Sequence, residues 1–479
     1  MADSDGFRFR GIAGLGLSLI AGRAGQALAF LLMARFLTAA QMGKVAIFTA
    51  VFLGMYQLTS IGFDRYIVYA KAEDGEELER TIDGVWSLQI ARGVLIMVLA
   101  VPIYLLLRLF PQLGVTIDEV LMIGAIVFAF SLATPELSSF ERKGDFGYVS
   151  KARGAGLVFG ALVTIGLIFI WQSPWVYLIG QMGTALLFSA LSYYYSTRLP
   201  RLQFEREQIS RIWDYSRHLI VIAIVSFIST QAQSIYVGAA FGAATLGMYF
   251  TWYRLVSLPG EFITQMQDRL LFAKASDDSR REKDAGLTHL LGFGLSMGLL
   301  VPFYIFVWFH GDTLMTVLAT DRWVPFWWVG KMFVWISFLS SLMATLTPFF
   351  LVSLPQVTSR LRLIEASLGF GLILLLGGIY GIAGVLIALL IELSLAISAR
   401  TYFLYRRIIT ANRLFHAKST LLILAAIPVP IFAWEALAAG LFPAEYFPYL
   451  SALFYALWFG VLSCAVFLKR GQIMSKVTS

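Results

Sequence analysis

Four cations lie inside long apolar runs of this chain: Arg23, Arg92, Arg254 and Lys331. A cation at the centre of a bilayer costs about 2.5–3.5 kcal/mol on insertion scales, so such residues are kept for a function or for a partner. Arg23 falls about twelve residues into the first apolar run, roughly 18 Å deep at a helical rise of 1.5 Å. Arg254 falls about eight residues into the eighth run, roughly 12 Å deep on the same rise. Arg92 and Lys331 lie nearer to the ends of their runs and could snorkel to the interface. Two acids are embedded with them, Glu261 and Glu392. Either could form a structural ion pair or carry a coupling proton. The surplus of cations calls for an anionic partner. Guanidinium meets phosphate oxygens through paired, charge-assisted hydrogen bonds, so a lipid-borne diphosphate would suit two arginines.

Uncharged polar residues accompany the charges. Gln26, Gln57, Gln89, Gln231, Gln233 and Gln265 all fall within apolar runs. They could line a wet cavity that passes sugars, or bond helix to helix. Asp64-Arg65 and Asp268-Arg269 close two of the runs. They could form a gate at one membrane face, or be ordinary interfacial charge.

The elements that must position these residues are membrane helices. Of 479 residues, 58% are hydrophobic and 14% charged, against about 25% charged in soluble domains. Mean hydropathy is +0.76. A helix needs about 20 apolar residues to cross a bilayer, and such runs recur throughout. The expected fold is an all-α polytopic membrane protein with about fourteen spans. They run approximately over 11–34, 45–63, 85–107, 118–135, 154–171, 174–194, 217–240, 246–267, 287–309, 325–350, 363–378, 381–399, 419–440 and 447–468. Threaded with a cytoplasmic N-terminus, this count places roughly six of every seven loop cations on one side, as the positive-inside rule requires. Both termini are then cytoplasmic. Residues 71–83 are acidic and read as a solvated loop. Residues 196–216 are basic with apolar Ile209, Ile212 and Trp213, and read as an amphipathic helix on the inner leaflet or as a tether between two halves.

The chain repeats. Leu37-Thr38-Ala39-Ala40-Gln41-Met42-Gly43 leads into an apolar span ending in Asp64-Arg65, and Ala243-Ala244-Thr245-Leu246-Gly247 leads into one ending in Asp268-Arg269. Gly43 and Gly247 are 204 residues apart, as are Asp64 and Asp268. That offset covers six crossings, an even number, so the copies enter the membrane in the same direction. This is a parallel repeat about an axis along the membrane normal. It divides the chain into an N-lobe, 1–200, a C-lobe, 201–400, and a two-span extension with tail, 401–479. The cleft between lobes is the expected substrate path.

Catalytic chemistry finds no support. Gly294-Leu295-Ser296-Met297-Gly298 fits a nucleophile-elbow pattern but lies in an apolar helix without a strand before it. There is no P-loop, no paired-histidine zinc motif and no clustered metal ligands. The single cysteine, Cys464, excludes an internal disulfide. The chain is read as no enzyme, without a metal or an organic cofactor. The charge of +8 follows membrane topology and implies no nucleic-acid partner.

The run from Ser234 to Ser276, with Gly238, Leu246-Gly247-Met248-Tyr249, Pro259 and Phe272-Ala273-Lys274-Ala275-Ser276, resembles the seventh-to-eighth-span signature of bacterial polysaccharide flippases. The first-half run from Ala34 to Phe48 is similar to that family's opening motif; it departs at Ala40-Gln41-Met42, where the family often has an acid. The resemblance implies membership of the multidrug/oligosaccharidyl-lipid/polysaccharide flippase superfamily. It implies twelve to fourteen spans in two lobes and transport of an undecaprenyl-diphosphate-linked oligosaccharide across the bacterial inner membrane. The pathway would be O-antigen, capsule or exopolysaccharide synthesis, with a polymerase and glycosyltransferases as partners beside membrane lipids. The group's lipid II flippases use cavity arginines in the first span and near the eighth, regions that hold Arg23 and Arg254. Alternating access would be driven by Na+, H+ or the membrane potential. A drug/cation antiporter of the same fold, and a membrane glycan polymerase or ligase, are the rival readings.

Overall fold

A computed structural model describes residues 4–60, 66–67, 75–142, 147–280, 285–409, 412–441, 448 and 451–455, and along several helices the backbone without every side chain. Hydrocarbon offers the backbone no hydrogen bonds, so a spanning chain must satisfy them within each segment. Regular structure among the described residues is helical throughout. Among the described residues, seven stretches are long and apolar enough to cross a membrane, from Ala39–Gln57 to Gln356–Ile408. The chain forms two compact units, Met1–Phe250 and Thr251–Ser479.

The first unit contains α1 (Ser4–Phe36), α2 (Ala39–Ser60), α3 (Gly75–Leu107), α4 (Ile117–Ser131), the short α5 (Leu137–Arg142), α6 (Gly147–Ile168), α7 (Trp175–Tyr194), α8 (Arg206–Phe241) and the first turns of α9 (Ala243–Arg280). α1 lies along α6, with Gly22 against Leu157 and Gly25 against Ala161. Ser18 Oγ donates to the Ser150 carbonyl at 3.0 Å. Phe48, Ile96, Val120, Ile123, Val127 and Leu178 form the buried centre where α2, α3, α4 and α7 meet. The start of α2 is tied to the start of α4 through Glu119. One of its oxygens lies 3.0 Å from Lys44 Nζ and the other accepts the Thr116 N–H at 2.8 Å.

The second unit contains the rest of α9, then α10 (Gly286–Leu318), α11 (Trp327–Ser353), α12 (Pro355–Phe403), a π-turn (Leu404–Ile408), α13 (Arg413–Ala426) and α14 (Pro428–Leu441). α12 carries two expected spans and reverses at Gly381, whose φ of 63° and ψ of −141° suit a residue without a Cβ. The two limbs are joined by Arg400, 3% exposed, which grips Glu365 through both guanidinium nitrogens, one at 2.9 Å.

Two expectations need correction, and a third gains detail. The expected span 419–440 is formed by α13 and α14, with the helix interrupted at Ile427. Proline cannot donate to the preceding turn, and its ring clashes there. The basic stretch 196–216 does not offer its apolar residues wholly to lipid. Ile212 is fully buried with Ile67, Ile82 and Val85. The acidic stretch 71–83 is not simply solvated either, for its last residue holds the linker. Asp83, 5% exposed, accepts from Arg198 Nη2 at 2.7 Å and from the Arg201 N–H at 2.9 Å. Ser87 Oγ accepts the Gln203 N–H at 2.7 Å. Across the linker, Glu136 accepts the N–H groups of Thr197 and Arg198 at 3.1 and 3.4 Å, and the Ser196 and Thr197 hydroxyls. Burial pushes the Glu136 carboxyl upward. These hydrogen bonds more than offset it and hold the group below the usual carboxylate range. Carboxylates of the first unit thus fix the path of this stretch, which lies within that unit.

Candidate functional site

In the first unit, Arg23 is exposed on α1, beside the face that packs on α6. Its Nη1 lies 3.5 Å from Gln26 Oε1, one turn on. Arg92 of α3 is half-buried. Its Nη2 donates to Ser131 Oγ at 2.9 Å, and its guanidinium carbon lies 5.9 Å from the centre of the Tyr56 ring. Gln89, buried, sits one turn before it, and Gln57 follows Tyr56 on α2. Three helices thus meet at Arg92 of α3: Tyr56 comes from α2 and Ser131 from α4. Gln231 is half-buried on α8, and nearby Gln233 accepts the Tyr249 hydroxyl at 3.1 Å.

In the second unit, Arg254 is not a bare cation. Its Nη1 lies 3.0 Å from each oxygen of Glu261, and Ser257 Oγ donates to the same carboxylate at 3.1 Å. Of the two roles open to Glu261, ion pair or coupling proton, the geometry fits the pair. Lys331 lies between two indoles, its Nζ 5.6 Å from the ring centres of Trp308 and Trp327. A cation over an aromatic face is attracted by the ring quadrupole. Glu392 stands on the second limb of α12 with its carboxylate against Gly369 of the first, where a Cβ would collide with it. Asp64 and Arg65 lie outside the described residues, as do the side chains of Asp268, Arg269 and Gln265. The expected gate therefore has no described geometry.

The repeat has a physical counterpart in the first unit. A Cβ on Gly43 would overlap the carbonyl oxygen of Ala243, and a Cβ on Gly247 would overlap that of Ala39. Ala39 and Ala243 are themselves 204 residues apart. The opening turns of α2 and α9 therefore touch reciprocally, each glycine admitting the other turn's backbone. This is the pattern of a self-complementary twofold contact.

Sequence reasoning missed one buried cluster in the second unit. His310 Nε2 lies 3.0 Å from Glu435 Oε2, Tyr455 donates to Glu435 Oε1 at 2.7 Å, and Ser451 reaches Oε2 at 3.4 Å. His310 and Glu435 are 4% and 2% exposed. The signal was present in the sequence, since Glu435 is an acid inside an apolar run.

Helices of this length and apolarity define a multi-pass membrane protein. Residues 32–327 match the family described as polysaccharide biosynthesis protein, and the chain belongs to that family. No curated protein matches it. Among solved structures it is similar to one titled "Lipid II flippase MurJ, inward closed conformation", with TM-score 0.74, 14% identity, and 96% of this chain and 99% of that one covered. It is also similar to an inward-facing multidrug resistance MATE family transporter of the MOP superfamily, with TM-score 0.59, 15% identity, and coverage of 81% and 94%. A third is the MATE multidrug transporter DinF-BH in complex with R6G, with TM-score 0.53, 15% identity, and coverage of 85% and 96%. At these identities the likeness is one of fold, and the fold is all-α, as expected from the sequence.

Proposed function

We propose that this protein flips an undecaprenyl-diphosphate-linked oligosaccharide across the bacterial inner membrane, by alternating access, during assembly of a surface polysaccharide. Family membership supports the pathway, and the fold shared with a lipid II flippase supports the transport step. The observation that carries the reading is Arg23. It is an exposed guanidinium thirteen residues before the end of α1, roughly 20 Å along the helix axis. A charge at that depth facing acyl chains would bear the insertion penalty, whereas an anionic headgroup in a wet cavity removes it. Each unit holds a further membrane cation on hydroxyl or aromatic groups, Arg92 in the first and Lys331 in the second. With a cytoplasmic N-terminus, the Gly43–Gly247 contact of the first unit falls toward the outer membrane face, and we read it as a contact that the transport cycle makes and breaks.

A drug/cation antiporter is the second reading. Glu392 favours it, as an acid embedded in a span with its carboxylate against Gly369. Deletion of the gene separates the two. The flippase reading expects loss of surface polysaccharide, accumulation of the lipid-linked precursor and unchanged drug tolerance. Lowered drug tolerance with intact surface polysaccharide would establish the antiporter instead.

A further inference from the structure

The ion pairs of the second unit fall into two physical kinds. Arg400–Glu365 and Lys274–Asp278 are sealed, with side chains no more than 16% exposed. Removing one partner from such a pair strands a buried charge, so these contacts are staples. Arg254–Glu261 differs, at 28% and 35% side-chain exposure. A pair that open is only weakly favourable and can exchange partners. Its geometry leaves room for exchange. One guanidinium nitrogen serves both carboxylate oxygens, and among the described residues Arg254 makes no other hydrogen bond. Guanidinium has five N–H groups in a planar fork, so most of its capacity for a bidentate anion is unused.

The pair also spans a proline inside a continuous helix. Arg254 and Glu261 are seven residues apart, about 10.5 Å along a helix, with Pro259 and Gly260 between them. Gly260 is seated against α10 and α11: a Cβ there would come within 2.7 Å of the Tyr304 hydroxyl and 3.4 Å of Ser341 Oγ. Tyr304 is fixed in turn by Ser341 Oγ at 2.9 Å and the Ser337 carbonyl at 3.2 Å. Proline removes a backbone hydrogen bond at this point, and the side-chain bridge ties together the turns on either side.

We infer that Glu261 is a built-in stand-in for the anionic headgroup. It occupies Arg254 in the empty protein, and a diphosphate must displace it to bind. This rests on the reading of Arg254 as a headgroup cation. A diphosphate outcompetes the single carboxylate because it carries more charge and has oxygens enough to engage both arms of the fork at once. Displacement releases the bridge across Pro259–Gly260, so headgroup binding and bending of α9 are one event. Ser257 retains its hydrogen bond to Glu261 and keeps the displaced carboxylate from drifting.

The test is binding of undecaprenyl diphosphate to the full-length protein in nanodiscs, for wild type, Glu261→Gln and Arg254→Gln. Glu261→Gln removes the competing charge and should bind about fivefold tighter, the factor of a partly exposed pair. Arg254→Gln should bind at least tenfold more weakly, as loss of a charged hydrogen-bond partner predicts. Undecaprenyl monophosphate, offering one phosphate, should gain less from Glu261→Gln. Weaker binding in Arg254→Gln with no gain in Glu261→Gln would overturn the displacement and leave the headgroup reading standing. Wild-type binding in Arg254→Gln would overturn both. Glu261→Ser replaces the amide variant if that variant does not insert.

Discussion

Gly43→Ala and Gly247→Ala should each cripple transport, and to a similar degree. In both positions the added methyl meets a backbone carbonyl of the facing turn, Ala243 in one case and Ala39 in the other. A carbonyl cannot rotate aside as a side chain can, so the opening turns of α2 and α9 must move apart. Overpacking of this kind costs about 1–3 kcal/mol, which lowers the population of the touching state about five- to 150-fold relative to its alternatives. The reciprocity sharpens the expectation. Once the turns have separated for one methyl, the second meets less resistance, so the double variant should lose less than the sum of the singles. Gly166→Ala is the control, because a Cβ there meets nothing within 4 Å. The measurement is surface polysaccharide in cells carrying each variant at equal membrane abundance. Wild-type polysaccharide in both single variants would show that the contact is not part of the transport cycle.

Glu435→Ala should destabilise the second unit severely. Both carboxylate oxygens are engaged, one by Tyr455 and the other by His310 and Ser451, and the whole cluster is buried. α10 departs from helical geometry at His310, with φ −120° and ψ 18°, so the imidazole is delivered to Glu435 by a local distortion of its helix. Phe306 and Phe309 pack around the imidazole at 5.3 and 6.4 Å between ring centres. Removing the shared acceptor takes one hydrogen-bond partner from each of His310, Tyr455 and Ser451, at about 1–3 kcal/mol for each buried group left unsatisfied. His310→Ala should cost a similar amount, and the double variant markedly less than the sum, since no orphaned partner remains. Glu435→Gln keeps acceptor and shape and should be milder. Thermal unfolding in detergent checks this order. A Glu435→Ala protein melting with the wild type would mean the cluster contributes nothing.

What could be read from the chain itself was whatever depends on period and composition. Apolar runs of membrane-spanning length located the helices, and an offset of 204 residues paired Gly43 with Gly247 before any contact was known. What could not be read depends on helix rotation. An apolar helix has no polar side to show which way a given residue points, so nothing in the run said that Arg254 would turn toward Glu261 across the proline, or that Lys331 would lie between two indoles. Long-range pairing was equally hidden. Asp83 and Arg198 are 115 residues apart, and each looked like ordinary loop charge in its own neighbourhood. The break before Pro428 was legible in principle, since proline ends the hydrogen-bond ladder, but a hydropathy window averages over it. Glu435 was lost in the same way.

The proposed transport turns on whether charge sunk in the membrane helices receives the substrate's anionic head. Translocation by proteoliposomes containing wild type or Arg23→Gln, with a fluorescent undecaprenyl-diphosphate oligosaccharide as cargo, addresses this most directly. The substitution should lower the initial rate at least tenfold while protein abundance and melting stay at wild-type values, the loss of a charged hydrogen-bond partner being worth about 1.5–3 kcal/mol. An unchanged rate in correctly folded Arg23→Gln protein would contradict a headgroup role for this arginine.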